Sequence, residues 1–187
     1  LTAYRSGVFP WYADGDPILW WSPDPRLVLY PQELRVSKSL KRVINKDLFQ
    51  ITFNNAFETV IRGCAETKRS YGDGTWITDE MKDAYCRLHR HGYAHSVEAW
   101  QSGNLVGGLY GVIIGRIFFG ESMFSKVSNS SKVAFVRLVQ HLKRLQFVLI
   151  DCQVKTDHLM RFGAREIPRK VFLEQLKKAV DAKPNYL

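Results

Sequence analysis

Three polar side chains stand near the ends of short apolar runs. Asp151 follows FVLI, Glu121 closes RIFFGE, and Gln153 comes two positions after Asp151. In an extended segment, positions i and i+2 face the same side, so Asp151 and Gln153 are expected to point together. The carboxyl edge of an open α/β sheet is where ligands collect. Two carboxylates there could hold a substrate ammonium, although either one alone could equally cap a neighbouring helix. Aromatic residues are numerous around them: Tyr4, Trp11, Trp20, Trp21, Trp76, Tyr85, Phe118 and Phe119 exceed what one small core needs. Some could line a pocket or stack on a base, while ordinary core and loop packing accounts for most of them equally well.

Other chemistries lack their residues. No GKS/T loop and no HExxH is present, and Gly103, Gly107, Gly108 and Gly111 do not lead from a strand into a helix, so they are not a dinucleotide motif. His89, His91 and His95 have no matching carboxylate or cysteine set, and Cys64, Cys86 and Cys152 form no CxxC. We therefore expect no metal, no cofactor and reduced thiols.

The elements that must position these side chains are legible from periodicity. Residues 1–28 begin with the end of a helix near Tyr4. They continue into FPWYADGDPILWWSPDPR, an aromatic loop stiffened by four prolines. Strands are expected at 26–30 and 49–53, and helices at 37–44, 56–66 and 79–91, the last capped by Thr78. A meander follows, with strands at 95–100, 104–113 and 116–121 turning at Gln101–Asn104 and Ile114–Gly115. An amphipathic helix is expected from Ser128–Ser131 to Leu145, then a strand at 147–152, a short helix at 157–162 closed by Gly163, and a strand at 164–167. A basic helix opened by Pro168 ends the series. Helices, an antiparallel meander and then a helix crossing to another strand indicate a mixed α/β sheet of the acetyltransferase-like (GNAT) type, in which ligands occupy the splay beside the crossover. The turn before the crossover helix, SKVSNSSK, has no glycine to expose backbone amides to a pyrophosphate, which disfavours coenzyme A.

Composition is that of an ordinary soluble globular chain. The 187 residues are 45% hydrophobic and 24% charged, with a net charge of +9. Residues 1–121 hold 14 basic and 13 acidic side chains, whereas 122–187 hold 13 and 5. This skew suits a polyanion such as nucleic acid, or a generic solubilising surface. No apolar run approaches a membrane span or a signal peptide.

Six blocks together resemble the leucyl/phenylalanyl-tRNA–protein transferase family: FPWYADGDPILWWSPDPR (9–26), GTWIT (74–78), NLVGGLYGV (104–112), FFGESMFS (118–125), LIDCQV (149–154) and HLMRFGAREIPR (158–169). The resemblance runs from end to end. It implies a bacterial, cytoplasmic, monomeric enzyme with a small N-terminal domain, its remainder at 1–28, and a GNAT-like catalytic domain at 29–187. It implies transfer of Leu or Phe, less readily Met, from aminoacyl-tRNA to the α-amino group of proteins beginning with Arg or Lys, which marks them for N-end rule degradation. No cofactor is implied, because the ester is already activated.

By matching position, Glu121, Asp151 and Gln153 fall at the catalytic centre. There Asp151 would orient Gln153, whose carbonyl oxygen would accept a proton from the attacking amine, unless the terminal ribose hydroxyl carries it. Glu121, with or without Asp151, would bind the cationic acceptor terminus. Tyr4, Trp11, Trp76, Tyr85 and Phe118 match the aromatic positions near the aminoacyl-adenosine, with Trp11 and Trp76 suited to stacking on adenine. Leu109, Met123, Phe135, Leu138, Leu142 and Ile150 match the side-chain pocket, which would reject β-branched residues. The chain departs from the family at Lys155-Thr156-Asp157, where an Asn usually precedes the histidine, and at Phe162, usually a small residue. Two readings compete: another GNAT-fold N-acyltransferase, and a non-catalytic RNA-binding module.

Overall fold

The structure, a computed structural model, describes residues 1–12, 15–67 and 77–182. Its frame is a seven-stranded sheet built around the expected meander. Strands β5 (Ala94–Gln101), β6 (Asn104–Ile114) and β7 (Ile117–Ser125) pair antiparallel. Their turns use Ser102, Gly103 and Gly115 at positive φ, as tight hairpins require. Helix α5 (Ser130–Arg144) then crosses over and delivers β8 (Leu149–Gln153) parallel to β7.

The N-terminal segment enters the same sheet. After helix α1 (Thr2–Arg5), a small hairpin of β1 (Phe9–Pro10) and β2 (Trp20–Trp21) leads into β3 (Arg26–Leu29). Strand β3 lies between β8 and β9 (Arg165–Ile167), antiparallel to both. With β4 (Gln50–Phe53) at the far edge, the order is β4-β5-β6-β7-β8-β3-β9. The domain boundary expected at 28/29 thus falls inside a strand of the main sheet.

Helices cover both faces because the central strands are apolar on both. Along β7, Ile117 and Phe119 enter one core and Phe118 the other, following the two-residue alternation of a strand. The first core is closed by α1, α3 (Phe57–Ala65), α4 (Asp79–Arg90) and α7 (Arg169–Ala179). The second is closed by α2 (Lys38–Asn45) and α5, with the short α6 (Asp157–Met160) following β8. The hydroxyls of Ser37 and Thr78 cap α2 and α4 by accepting the N–H groups of Leu40 and Met81, as Ser and Thr do at helix starts.

One strand differs from expectation in a way that matters. Strand β7 does not end at Glu121 but runs on to Ser125, because β6 continues to pair with it. Its pairing with β8 stops at Phe119↔Asp151. Beyond that point the two central strands part, opening a splay beside the crossover. Between Tyr110↔Ser122 and Gly111↔Gly120 the β6–β7 register shifts, so Glu121 is the extra residue of a bulge. Bulges re-aim side chains beside functional sites.

Gly111 makes this bulge possible. A Cβ there would lie 2.3 Å from the Phe119 carbonyl oxygen and 2.4 Å from the Phe118 ring. Gly111→Ala is expected to destabilise the fold by about 1–3 kcal/mol and to reduce activity by moving Glu121. Thermal unfolding and a turnover assay on the same sample check this.

Candidate active site

A cavity of about 300 Å³ occupies the splay. Its inner wall is apolar, formed by Leu109, Phe118, Met123, Phe135 and Ile150, and its polar wall carries Glu121 and Gln153. Pro10 and Trp11 of the N-terminal segment stand at its rim with Thr156 and His158. Four of the six expected pocket residues therefore line it. Leu138 and Leu142 do not: both are fully buried in the core behind Phe135. They share Phe135's stripe on α5, but at about 1.5 Å rise per residue they lie roughly 4 and 10 Å further along the helix.

Glu121 is held from below. The Tyr4 hydroxyl donates to its Oε1 at 2.8 Å and the Tyr85 hydroxyl to its Oε2 at 2.7 Å, while the two hydroxyls are 2.7 Å apart. Both tyrosines are buried, so at this site they act through their hydroxyls and their ring faces are not available for stacking. Burial, then the charge of Glu121, pushes both phenols well above their ordinary pKa. Burial also raises Glu121 to about 7, against the hydrogen bonds from Tyr85 and Tyr4 that favour its ionised form. Three short oxygen–oxygen contacts share only two phenolic protons, so a proton on Glu121 would complete the ring.

Gln153 faces Glu121 across the gap, its Nε2 donating to Oε1 at 3.3 Å. Because a carboxylate only accepts, this orientation leaves the amide oxygen Oε1 as the acceptor on offer to a substrate. The extended geometry expected at Gln153 is not what places it. Gln153 has φ +65°, an uncommon value for a side-chain-bearing residue, and its backbone N–H donates to Asp151 Oδ1 at 2.9 Å. Asp151 and Gln153 meet through that turn.

The partner of Asp151 is Arg26, which residue types and spacing did not single out. Arg26 Nε and Nη2 donate to Oδ1 and Oδ2 of Asp151 at 2.8 and 2.7 Å, and both residues are 0% exposed. The guanidinium lies between the rings of Phe9 and Phe172, 4.8 and 4.6 Å from their centroids, and also donates to the Gly7 carbonyl. With both oxygens taken, Asp151 is not available to a substrate ammonium, and it does not cap a helix. Glu121, by contrast, has no cation at ion-pair distance among the described residues. A lone cation heading the apolar strand RLVL was the available signal for Arg26.

The remaining candidates are placed as follows. Phe118 is buried in the cavity wall and Trp11 is exposed at the rim. Trp76 lies outside the described residues. Cys152 also lines the wall, but burial drives its thiol strongly upward, so it is not a nucleophile. The His158 Nε2 is buried with no hydrogen-bond partner among the described residues, and burial lowers the ring's pKa. No group of three metal-ligating side chains converges among the described residues, and no helix there is long and apolar enough to cross a membrane.

Comparison with known proteins gives concordant matches. A family model described as leucyl/phenylalanyl-tRNA protein transferase matches residues 28–177, and one for the N-terminal domain of that transferase matches residues 1–24. The leucyl/phenylalanyl-tRNA–protein transferase of Pseudomonas fluorescens (strain Pf0-1) is 56% identical over 186 residues, covering 100% of this chain and 81% of the relative. Its namesake from Syntrophobacter fumaroxidans is 59% identical, covering 96% and 77%. Among solved structures, L-PGS from Bacillus licheniformis superposes with a TM-score of 0.51 at 9% identity, over 86% of this chain and 66% of that one. A functionally unknown conserved protein from Staphylococcus epidermidis gives 0.51 at 12% identity, over 76% and 57%. These two structures are similar in fold.

Proposed function

The chain belongs to the leucyl/phenylalanyl-tRNA–protein transferase family, and from that premise we propose that the splay between β7 and β8 is where it moves an aminoacyl group from tRNA to a protein. The enzyme is an aminoacyltransferase. The finer reading is that it takes Leu or Phe, less readily Met, and adds it to proteins beginning with Arg or Lys. It would do so as a cytoplasmic monomer that feeds N-end rule degradation.

One observation carries this reading: Glu121, a carboxylate with no ion-pair partner among the described residues, shares a cavity wall with a small apolar pocket. An apolar side chain fills the pocket formed by Leu109, Met123, Phe135 and Ile150, and a cationic amino terminus lies against Glu121. The bound ammonium first gives one proton to solvent, and the freed amine nitrogen then attacks the ester carbonyl carbon, a C–N bond forms, and the bond from that carbon to the ribose oxygen breaks. The proton lost by nitrogen ends on the departing ribose oxygen. Gln153 Oε1 accepts a hydrogen bond from the attacking nitrogen. A neutral amide is a weak base, so orientation contributes more than proton abstraction. The Arg26–Asp151 pair holds the turn that presents Gln153.

The test is transfer of labelled Leu from Leu-tRNA to a peptide with N-terminal Arg, beside its N-acetylated twin. Labelling of the free peptide alone is expected. Labelling of both, or of neither, would overturn the reading.

A further inference from the structure

The β1–β2 hairpin gathers exposed apolar side chains, of which Trp11 alone borders the splay. Trp11, Ile18, Leu19, Trp20 and Trp21 are 43, 59, 42, 54 and 45% exposed, five of the twelve large apolar side chains exposed among the described residues. The others are scattered along the chain, whereas these five fall within eleven consecutive positions. A contiguous exposed apolar patch marks an interaction site.

This surface is held in shape. Phe9 pairs with Trp21 and Pro10 with Trp20. The Trp21 indole N–H donates to the Trp11 carbonyl at 2.7 Å, and the Trp11 N–H donates to the Leu19 carbonyl at 3.1 Å. Below, Arg169 donates to the Ser22 carbonyl. Aromatic side chains already fixed in place lose little freedom when a partner arrives. The surface is also continuous with the cavity, because Phe9, Pro10 and Trp11 belong to the cavity wall.

Charge decides the occupant. Residues 6–25 contain no Lys, Arg or His and include Asp14, Asp16 and Asp24, in a chain of net charge +9. Binding a nucleic-acid backbone requires cations; this stretch supplies none, and the neighbouring Arg169 is engaged with the Ser22 carbonyl. A polypeptide with apolar and basic side chains is complementary to it. We propose that the hairpin is a docking surface for the acceptor protein. It receives, in extended form, the residues just behind the amino terminus that reaches Glu121. At about 3.3 Å per residue, four to six residues cover roughly 13–20 Å. The enzyme therefore favours acceptors whose first residues are unfolded and apolar. The proposal rests on reading the cavity as the acceptor's site.

Fluorescence anisotropy of labelled nonapeptides tests it directly. One peptide carries Leu and Phe behind an N-terminal Arg, and the other carries Gly and Ser. The unaltered protein is expected to bind the apolar peptide about tenfold more tightly, the size of one well-buried apolar contact. Ile18→Ser with Trp20→Ser should abolish that difference, leaving transfer to an Arg dipeptide and the KM for aminoacyl-tRNA unchanged. Both side chains are more than half exposed, so the fold should survive, as circular dichroism would show. Equal affinity for the two peptides in the unaltered protein would overturn the proposal. So would a raised KM for aminoacyl-tRNA in the double variant, which would assign the hairpin to RNA. Loss of apolar binding without transfer to any acceptor would instead retain the docking surface and overturn the transferase reading of the cavity.

Discussion

Arg26→Met is expected to lower stability by about 3–5 kcal/mol, the usual cost of stranding one member of a buried ion pair. Arg26 and Asp151 are both fully buried, joined by two hydrogen bonds at 2.8 and 2.7 Å. Methionine fills the space but supplies no donor, so the Asp151 carboxylate is left without its counter-charge. Asp151→Ala has the mirror consequence, since it strands the guanidinium between Phe9 and Phe172. Loss of activity in either single variant therefore reports on folding as much as on chemistry.

The double variant Arg26→Met/Asp151→Leu separates the two. Apolar replacement of a whole buried pair is often neutral or stabilising, so its urea midpoint should return close to that of the unaltered protein. Transfer should stay depressed by about a hundredfold, the scale of a small misplacement in a reacting group. Asp151 Oδ1 is the acceptor for the Gln153 N–H, and without it the turn that aims Gln153 loses its side-chain anchor. A double variant that folds and transfers normally would reduce the pair to scaffolding.

The contrast between these side chains and the helices shows what a sequence discloses. Helices α3, α4 and α5 announce themselves through stripes such as Phe57, Val60, Ile61 and Cys64 and through caps such as Thr78, because both signals are local. The meander is legible for the same reason. The pairing of Arg26 with Asp151 spans 125 positions, and no local pattern encodes it. Glu121 reads as a strand end because it closes an apolar run between Gly120 and Ser122. Only the partner strand β6 shows that β7 continues and that Glu121 is thrown out as a bulge. Tyr4 and Tyr85 match the family's aromatic positions, but that their hydroxyls converge on one carboxylate follows only from α1 and α4 lying on the same face of the sheet. Leu138 and Leu142 share a stripe with Phe135, and the stripe alone does not say which turn of α5 faces the gap.

Glu121→Gln is expected to keep the fold and to raise the KM for the acceptor by roughly 10- to 100-fold, the range of a lost hydrogen bond to a charged group. The glutamine side chain imitates the protonated form. Its amide oxygen can accept from Tyr4 and its NH₂ can donate to the Tyr85 oxygen, leaving the Tyr85 proton for Tyr4, so the three-way contact around this position closes without a charge. Burial holds Glu121 near 7, so transfer should climb as pH rises from about 6 to 8 and the carboxylate forms opposite the acceptor ammonium. The α-amine of the acceptor titrates near 8 and adds a second rise. Only the lower inflection should vanish in the variant. Stability gives an independent reading with a determined sign. A carboxyl whose folded pKa lies above its ordinary value of 4.5 contributes most below 4.5, and that contribution fades as pH rises through about 7. The substituted amide has no proton to release, so the stability of the variant relative to the unaltered protein should improve across that window. If the lower inflection and the acceptor KM both survive the substitution, Glu121 does not hold the acceptor terminus, and the cationic end must be bound elsewhere in the cavity.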